Sequence, residues 1–193
     1  MPNFDFTAFT EALIAAGERT FPAMRANHPG EHFYCMAFYT SGEFAYVVPT
    51  AMTEEGLDAT VAVYLATHAA SENPEKLRRR LRWMPCDSPL HLEGEVHFED
   101  AQPLVSEVCE ALLAIESERA ADRFADQVGD ALCNALEELD RRGVFGRDLE
   151  RRRVFVSVMM GDQDDSILEY GQRLNPQKTF ERFRDEWKTA WAE

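Results

Sequence analysis

Asp162, Asp164 and Asp165 crowd one short stretch, Asp162-Gln163-Asp164-Asp165, and Glu169 follows one helical turn later. Carboxylates are hard oxygen donors, so such a group suits Mg²⁺ or Ca²⁺. The spacing lacks the central glycine and distant glutamate of an EF-hand loop. Asp164 or Asp165 also suits the N-cap of a following helix, where a carboxylate meets the positive end of the helix dipole. The sequence favours the cap. A second set alternates: His91, Glu93, Glu95 and His97. On a strand all four would face one way, and imidazoles with carboxylates are transition-metal donors. Neighbours on one face of a strand stand about 7 Å apart, which is too far for all four to share one ion. A solvent-facing strand shows the same alternation, and that is the favoured reading. The third set is Arg82, Trp83 and Asp87, beside the prolines of Met84-Pro85-Cys86-Asp87-Ser88-Pro89. These side chains can line a pocket, since Trp and Arg recur at binding hot spots. Equally, Trp83 can anchor the loop to the core while the arginines pair with local acids. His68, on an apolar helix face, reads as a core or boundary residue.

No phosphate-binding G-x-x-x-x-G-K-[ST], dinucleotide-binding glycine fingerprint, G-x-S-x-G elbow or H-E-x-x-H is present. No cofactor is expected, and the sequence leans away from an enzyme. The catalytic alternative is a metal-dependent enzyme built on Asp162, Asp164 and Asp165, or on His91 and His97. Cys35, Cys86, Cys109 and Cys133 are widely spaced, without a C-x-x-C pair, and read as free thiols of a reducing compartment. The start of the chain has no basic flank and apolar run of a leader, and no apolar stretch is long enough to span a bilayer. A soluble cytoplasmic protein is expected.

Charge is the strongest signal. Twenty basic and 35 acidic residues in 193 give a net charge of −15. That balance repels nucleic acid and anionic lipid and attracts a basic protein. Between Trp83 and Asp140 stand fifteen acidic residues against two basic ones, Arg119 and Arg123, so this stretch carries 13 of the 15 net negative charges. Asp122, Asp126, Asp130 and Glu137 fall on one side of a helix, opposite its apolar stripe. Like charges four apart cost a helix about 0.2–0.5 kcal/mol per pair. The stripe is therefore a candidate docking face, or else only a solvated one.

The elements that position these groups follow from periodicity. Phe6, Phe9, Leu13 and Ala16 mark a first helix whose pattern decays near Phe21-Pro22. The runs His32 to Tyr39 and Phe44 to Val48 flank Thr40-Ser41-Gly42-Glu43 and predict a β-hairpin. The first strand is apolar on both faces, with Phe33, Cys35 and Ala37 on one and Tyr34, Met36 and Phe38 on the other, so it is central. Thr53 caps a helix carrying Leu57, Val61 and Tyr64. Beyond Pro74 lies the basic run Arg78 to Arg82, and His91 to Phe98 reads as a short strand. Two helices follow, one with Leu104, Val108, Leu112 and Ile115, the next with Phe124, Val128, Leu132 and Leu139 and a stop at Gly143. Val154 to Met160 alternates as a strand, and a short helix surrounds Ile167 and Leu168. Asn175-Pro176 starts the last helix, which stacks Phe180, Phe183, Trp187 and Trp191. The sum is an α+β fold in one domain over residues 1–193, with an antiparallel or mixed sheet packed by about six helices.

Phe38-Tyr39-Thr40, Thr53-Glu54-Glu55-Gly56-Leu57, Leu81-Arg82-Trp83 with Asp87, and Gly161-Asp162-Gln163-Asp164-Asp165 followed by Arg173-Leu174-Asn175-Pro176 together resemble the bacterial domain of unknown function family 4303. The resemblance covers nearly the whole chain, and none of its strings has a chemistry attached. Some small bacterial families of this kind stand beside secreted toxins as immunity proteins, an analogy only. The expectation is a non-enzymatic protein-binding module, with an immunity-type inhibitor of a basic toxin as its specific form and an acidic housekeeping domain as the remaining alternative.

Overall fold

The computed structural model describes residues 4–67, 72–161 and 166–190. The Asp5 carboxylate accepts the Ala8 N–H at 2.9 Å, satisfying one of the donors a first helical turn leaves free. Helix α1 (Phe6–Asn27) buries Phe9, Leu13, Ala16, Phe21 and Met24. It continues through Pro22, where an end was expected. Proline there removes only the bond to the carbonyl of exposed Glu18, and the apolar stripe runs on to Met24.

Strands β1 (Phe33–Thr40), β2 (Val47–Thr53) and β3 (Phe155–Met160) form one sheet in the order β2-β1-β3. The hairpin is antiparallel, and β3 runs parallel to β1, so the sheet is mixed and β1 is central as expected. Strand β2 begins later than the sequence suggests and runs past Pro49. It is an edge strand, where a missing N–H breaks no ladder. The Pro49 carbonyl faces outward and accepts the Leu92 N–H at 3.2 Å. A register shift between Phe33 and Cys35 exchanges the first two residues of β1. Phe33 joins Met36 and Phe38 in one core, and Tyr34 joins Cys35, Ala37 and Tyr39 in the other.

The remaining helices are α2 (Glu54–Thr67), α3 (Pro74–Leu81), α4 (Gln102–Leu113), α5 (Glu118–Arg141), α6 (Asp148–Arg151), α7 (Ser166–Leu174) and α8 (Gln177–Ala190). Eight helices and three strands among the described residues make the fold α+β. The short α3 and α6 account for the excess over six. Helices α1, α4 and α5 cover one sheet face with Leu13, Val108, Val128 and Leu132. Helices α2, α3 and α8 cover the other with Leu57, Leu77 and Phe183. The Thr53 hydroxyl caps α2 by accepting the Gly56 N–H at 3.0 Å. Gly143, at φ +82°, closes α5. There the Val144 N–H reaches the Leu139 carbonyl at 3.1 Å and the Gly143 N–H reaches Asp140 at 2.8 Å, the paired bonds of a Schellman stop.

Residues 91–98 are not a strand. Leu92 and Gly94 take left-handed φ of 66° and 77°, and Glu95–Phe98 winds into a 3-10 helical turn. Two positive φ values in three residues break the extended path that the alternation implied. The turn is fastened to α1, where the Thr20 hydroxyl donates to the Gly94 carbonyl at 3.4 Å. A Cβ on Gly94 would meet the Thr20 methyl at 2.9 Å. Asn175 departs from its expected role as a cap. Its amide accepts the Val156 N–H at 2.8 Å and donates to the carbonyls of Val156 and Gly171 at 2.6 and 2.9 Å. It thus pairs with β3 as a further strand would. No helix among the described residues is long and apolar enough to cross a membrane.

Candidate functional site

From Trp83 to Glu118 the chain contains nine acidic residues and no lysine or arginine. The structure gives three of them partners. Asp87 accepts the Tyr64 hydroxyl at 2.6 Å. Glu93 meets His28 Nε2 at 2.7 Å and the Asn27 amide at 3.1 Å. Asp100 meets Arg19 at 3.2 Å. The other six, Glu95, Glu99, Glu107, Glu110, Glu116 and Glu118, are exposed and have no ion pair among the described residues. Local structure turns them outward. Phe98 is buried against Phe38 at 5.6 Å between ring centres, leaving Glu95, Val96 and Glu99 at the surface. Helix α4 buries Val105 and Val108, so Glu107, Glu110 and Leu113 take its opposite side. Of the five large apolar side chains exposed among the described residues, Leu92, Val96 and Leu113 lie in this segment, the last two 58% and 70% exposed. Beside β2, the residues Val47, Val48, Val96 and Phe98, with Glu95, Glu99 and Gln102, line a groove of about 300 Å³.

The α5 stripe is different. Asp122, Asp126, Asp130 and Glu137 are all exposed, but Arg173 of α7 crosses to the last two. Its guanidinium bonds Asp130 at 2.6 Å, Glu137 at 2.8 Å and the Asn134 amide oxygen at 2.7 Å. Further along, Arg141 and Arg142 donate to Glu138 and hold its carboxyl down at about 2. Asp122 and Asp126 have no ion pair among the described residues, and Arg119 and Arg123 stand one turn before them. Within Trp83 to Asp140 the acids without a partner among the described residues are therefore those six, from the 3-10 turn through α4 to Glu118, followed by Asp122 and Asp126.

Arg82, Trp83 and Asp87 do not converge on a pocket. Arg82 donates to both Glu54 oxygens at 2.7 and 2.8 Å and to Glu186 at 2.7 Å. Its guanidinium lies 4.2 Å from the centre of the Tyr34 ring. The hydrogen bonds from Arg82 chiefly pull the Glu54 carboxyl down to about 2. Trp83, 1% exposed, packs edge-on against Tyr34, Phe155 and Phe183, and its indole N–H has no partner among the described residues. The cavity that reaches Asp87 holds about 10 Å³, room for about one water. Trp83 is the anchor of a loop.

The broken strand separates His91, Glu93, Glu95 and His97. His91 faces Thr50 at 3.4 Å and the Tyr39 ring at 5.0 Å. Burial lowers its pKa against the pull of Glu95. No group of three or more His, Cys, Asp or Glu among the described residues can hold a metal. Asp162, Asp164 and Asp165 lie outside the described residues, as do His68 and Trp191. Glu169 is exposed on α7. All four cysteines are free, with Cys35 and Cys133 buried and Cys86 exposed. Sequence reasoning missed Arg173, which no local pattern ties to α5. It also missed the groove, because Val47 and Val96 stand far apart in the chain.

A family model described as a domain of unknown function (DUF4303) matches residues 10–176. No curated protein and no solved structure matches the chain.

Proposed function

We propose, for a chain that belongs to the DUF4303 family, that the protein acts by binding and that its partner is a basic protein. The observation that carries this reading is the surface of residues 92–118, where six unpaired acids and exposed Leu92, Val96 and Leu113 occur in one segment of the chain. Many of the acids elsewhere are compensated: Arg82 and Arg78 serve Glu54, Arg173 serves Asp130 and Glu137, and Arg151 serves Asp140. The six left together are therefore set apart from an ordinary solvated surface, which mixes its signs. Their field attracts a basic surface over distances comparable with the Debye length, speeding encounter in a salt-dependent way. The aliphatic residues among them add affinity once water is excluded. Asp122 and Asp126 extend the surface along α5 beyond Glu118.

An inhibitor of the immunity type, capping a basic toxin in the cytoplasm, is the form of partnership that fits best. Four free thiols support a reducing compartment. The net charge of −15 argues against nucleic acid and anionic membranes. The test uses the product of the gene adjacent to the one encoding this chain. Its expression alone should arrest growth, and co-expression should restore growth with copurification that weakens as salt rises. An adjacent product that is harmless, or that never binds this chain at low salt, overturns the inhibitor reading.

A further inference from the structure

The groove beside the start of β2 gives the docking surface an address. The geometry points to this groove as the seat for a short extended segment of the partner in which an aliphatic residue is flanked by lysine or arginine. The inference rests on the reading of the acidic surface as a docking face. Its floor is Val47, Val48, Val96 and Phe98, and its rim is Glu95, Glu99 and Gln102. Phe98 is 3% exposed and fixes the floor to the core, while Val96 is 58% exposed. The outer edge of β2 is covered further along, where the Leu92 N–H meets the Pro49 carbonyl and the Ser88 hydroxyl meets the Ala51 carbonyl. That cover stops at Pro49, so the first residues of β2 border the groove.

The chemistry of the occupant follows from the rim. Glu95 and Glu99 have no cationic partner among the described residues, and Arg19, the cation fastened to this turn, is held by Asp100 and the His97 carbonyl. A cation supplied from outside completes the rim as Arg19 does not. A second copy of this chain is a poor occupant. Each copy carries −15, and Arg78, Arg80 and Arg82 of its basic run are already engaged by Glu54, Asp58, Glu72 and Glu186. A volume of about 300 Å³ seats one or two aliphatic side chains. It stands at the bottom of the range of roughly 300–1,000 Å³ that small-molecule pockets occupy.

The test uses two short labelled peptides, one alternating lysine with leucine and the other alternating lysine with glycine, followed by fluorescence anisotropy at low salt. The leucine peptide should bind about tenfold tighter, a difference that burial of an aliphatic side chain readily supplies. Val96→Ser should abolish that preference, and urea unfolding should confirm that this surface substitution leaves stability unchanged. Glu107→Gln with Glu110→Gln, outside the groove, should weaken both peptides alike. Equal binding of the two peptides to the unsubstituted protein, or a preference that survives Val96→Ser, overturns the groove while leaving a diffuse acidic docking face standing. Failure of both peptides to bind overturns the docking face and the groove together.

Discussion

Replacing Arg82 with methionine tests whether the Arg82 cluster is a structural clamp and no ligand pocket. The arginine side chain is 14% exposed, while those of Glu54 and Glu186 are 36% and 34% exposed. Methionine keeps most of the packing volume and removes three charge-assisted hydrogen bonds to two carboxylates. Arg78 still reaches Glu54 at 2.7 Å, but Glu186 is left without a cation among the described residues. The contact with the Tyr34 ring is lost as well. Breaking one partner of a buried pair costs about 3–5 kcal/mol; with both carboxylates about a third exposed, the lower figure, about 3 kcal/mol, is expected. For a chain of this length that is a fall in Tm of about 6–12 °C, read by circular dichroism at pH 7. Arg82→Lys should recover little of it, because a point charge cannot reproduce the bidentate bond. The folded pKa of Glu54, about 2, lies below its ordinary 4.5, so its contribution is whole above 4.5 and fades as pH falls toward 2. The gap between the two proteins should therefore narrow over that window, and solvent at Glu54 trims its size. In the double variant with Glu54→Gln the two losses should fall short of their sum. A single-variant loss below about 1 kcal/mol, the value of an exposed pair, or strict additivity in the double variant, would refute the clamp.

Three further outcomes are expected. Arg173→Gln frees Asp130 and Glu137; it should cost under about 1 kcal/mol, as exposed pairs do, and should steepen the salt dependence of binding to a lysine-rich peptide. Asn175→Ala removes three hydrogen bonds to β3 and α7 and one from Arg151 and should lower stability by about 2–4 kcal/mol in urea titration, with Asn175→Asp recovering the bonds from the Val156 N–H and Arg151 but neither of those to the carbonyls. The His28 pKa is raised, first by its hydrogen bond to Glu93, so its contribution is whole below 6.5 and is lost as pH rises through the raised value. Corrected for the intrinsic pH dependence of exchange, amide hydrogen exchange in Gly94–Phe98 should quicken over that rise, and His28→Ala should abolish the pH dependence.

Periodicity made the buried parts of the fold legible. The stripe from Phe124 to Leu139 and the apolar run of β1 admit few alternatives, since a helix repeats every 3.6 residues and a strand every two. The stop at Gly143 was legible for the same reason, because a left-handed residue after a helix favours glycine. Residues 91–98 were not legible. Turns with positive φ at Leu92 and Gly94 can carry the same alternation of polar and apolar residues as a strand, and leucine gives no warning of such a φ. Asn175-Pro176 is a sound local cap signal, but β3 offered the asparagine an unpaired N–H and carbonyl, and the tertiary partner won. The charge stripe was read along the chain, while its compensation arrives across space. Arg173 lies 43 residues from Asp130 and 36 from Glu137, so composition located the acids but not the surface on which they stay unpaired.

The central claim is that position, and not bulk charge, makes the binding face. It is tested most directly by two variants of equal net charge, −11 in place of −15. One changes Glu95, Glu99, Glu107 and Glu110 to glutamine. The other changes Asp122, Asp126 and Asp130 to asparagine and Glu137 to glutamine. Affinity for the alternating lysine and leucine peptide should fall by about tenfold or more in the first variant, the equivalent of about 1.4 kcal/mol, and by much less in the second. Equal losses in the two, or a larger loss in the second, would contradict the account.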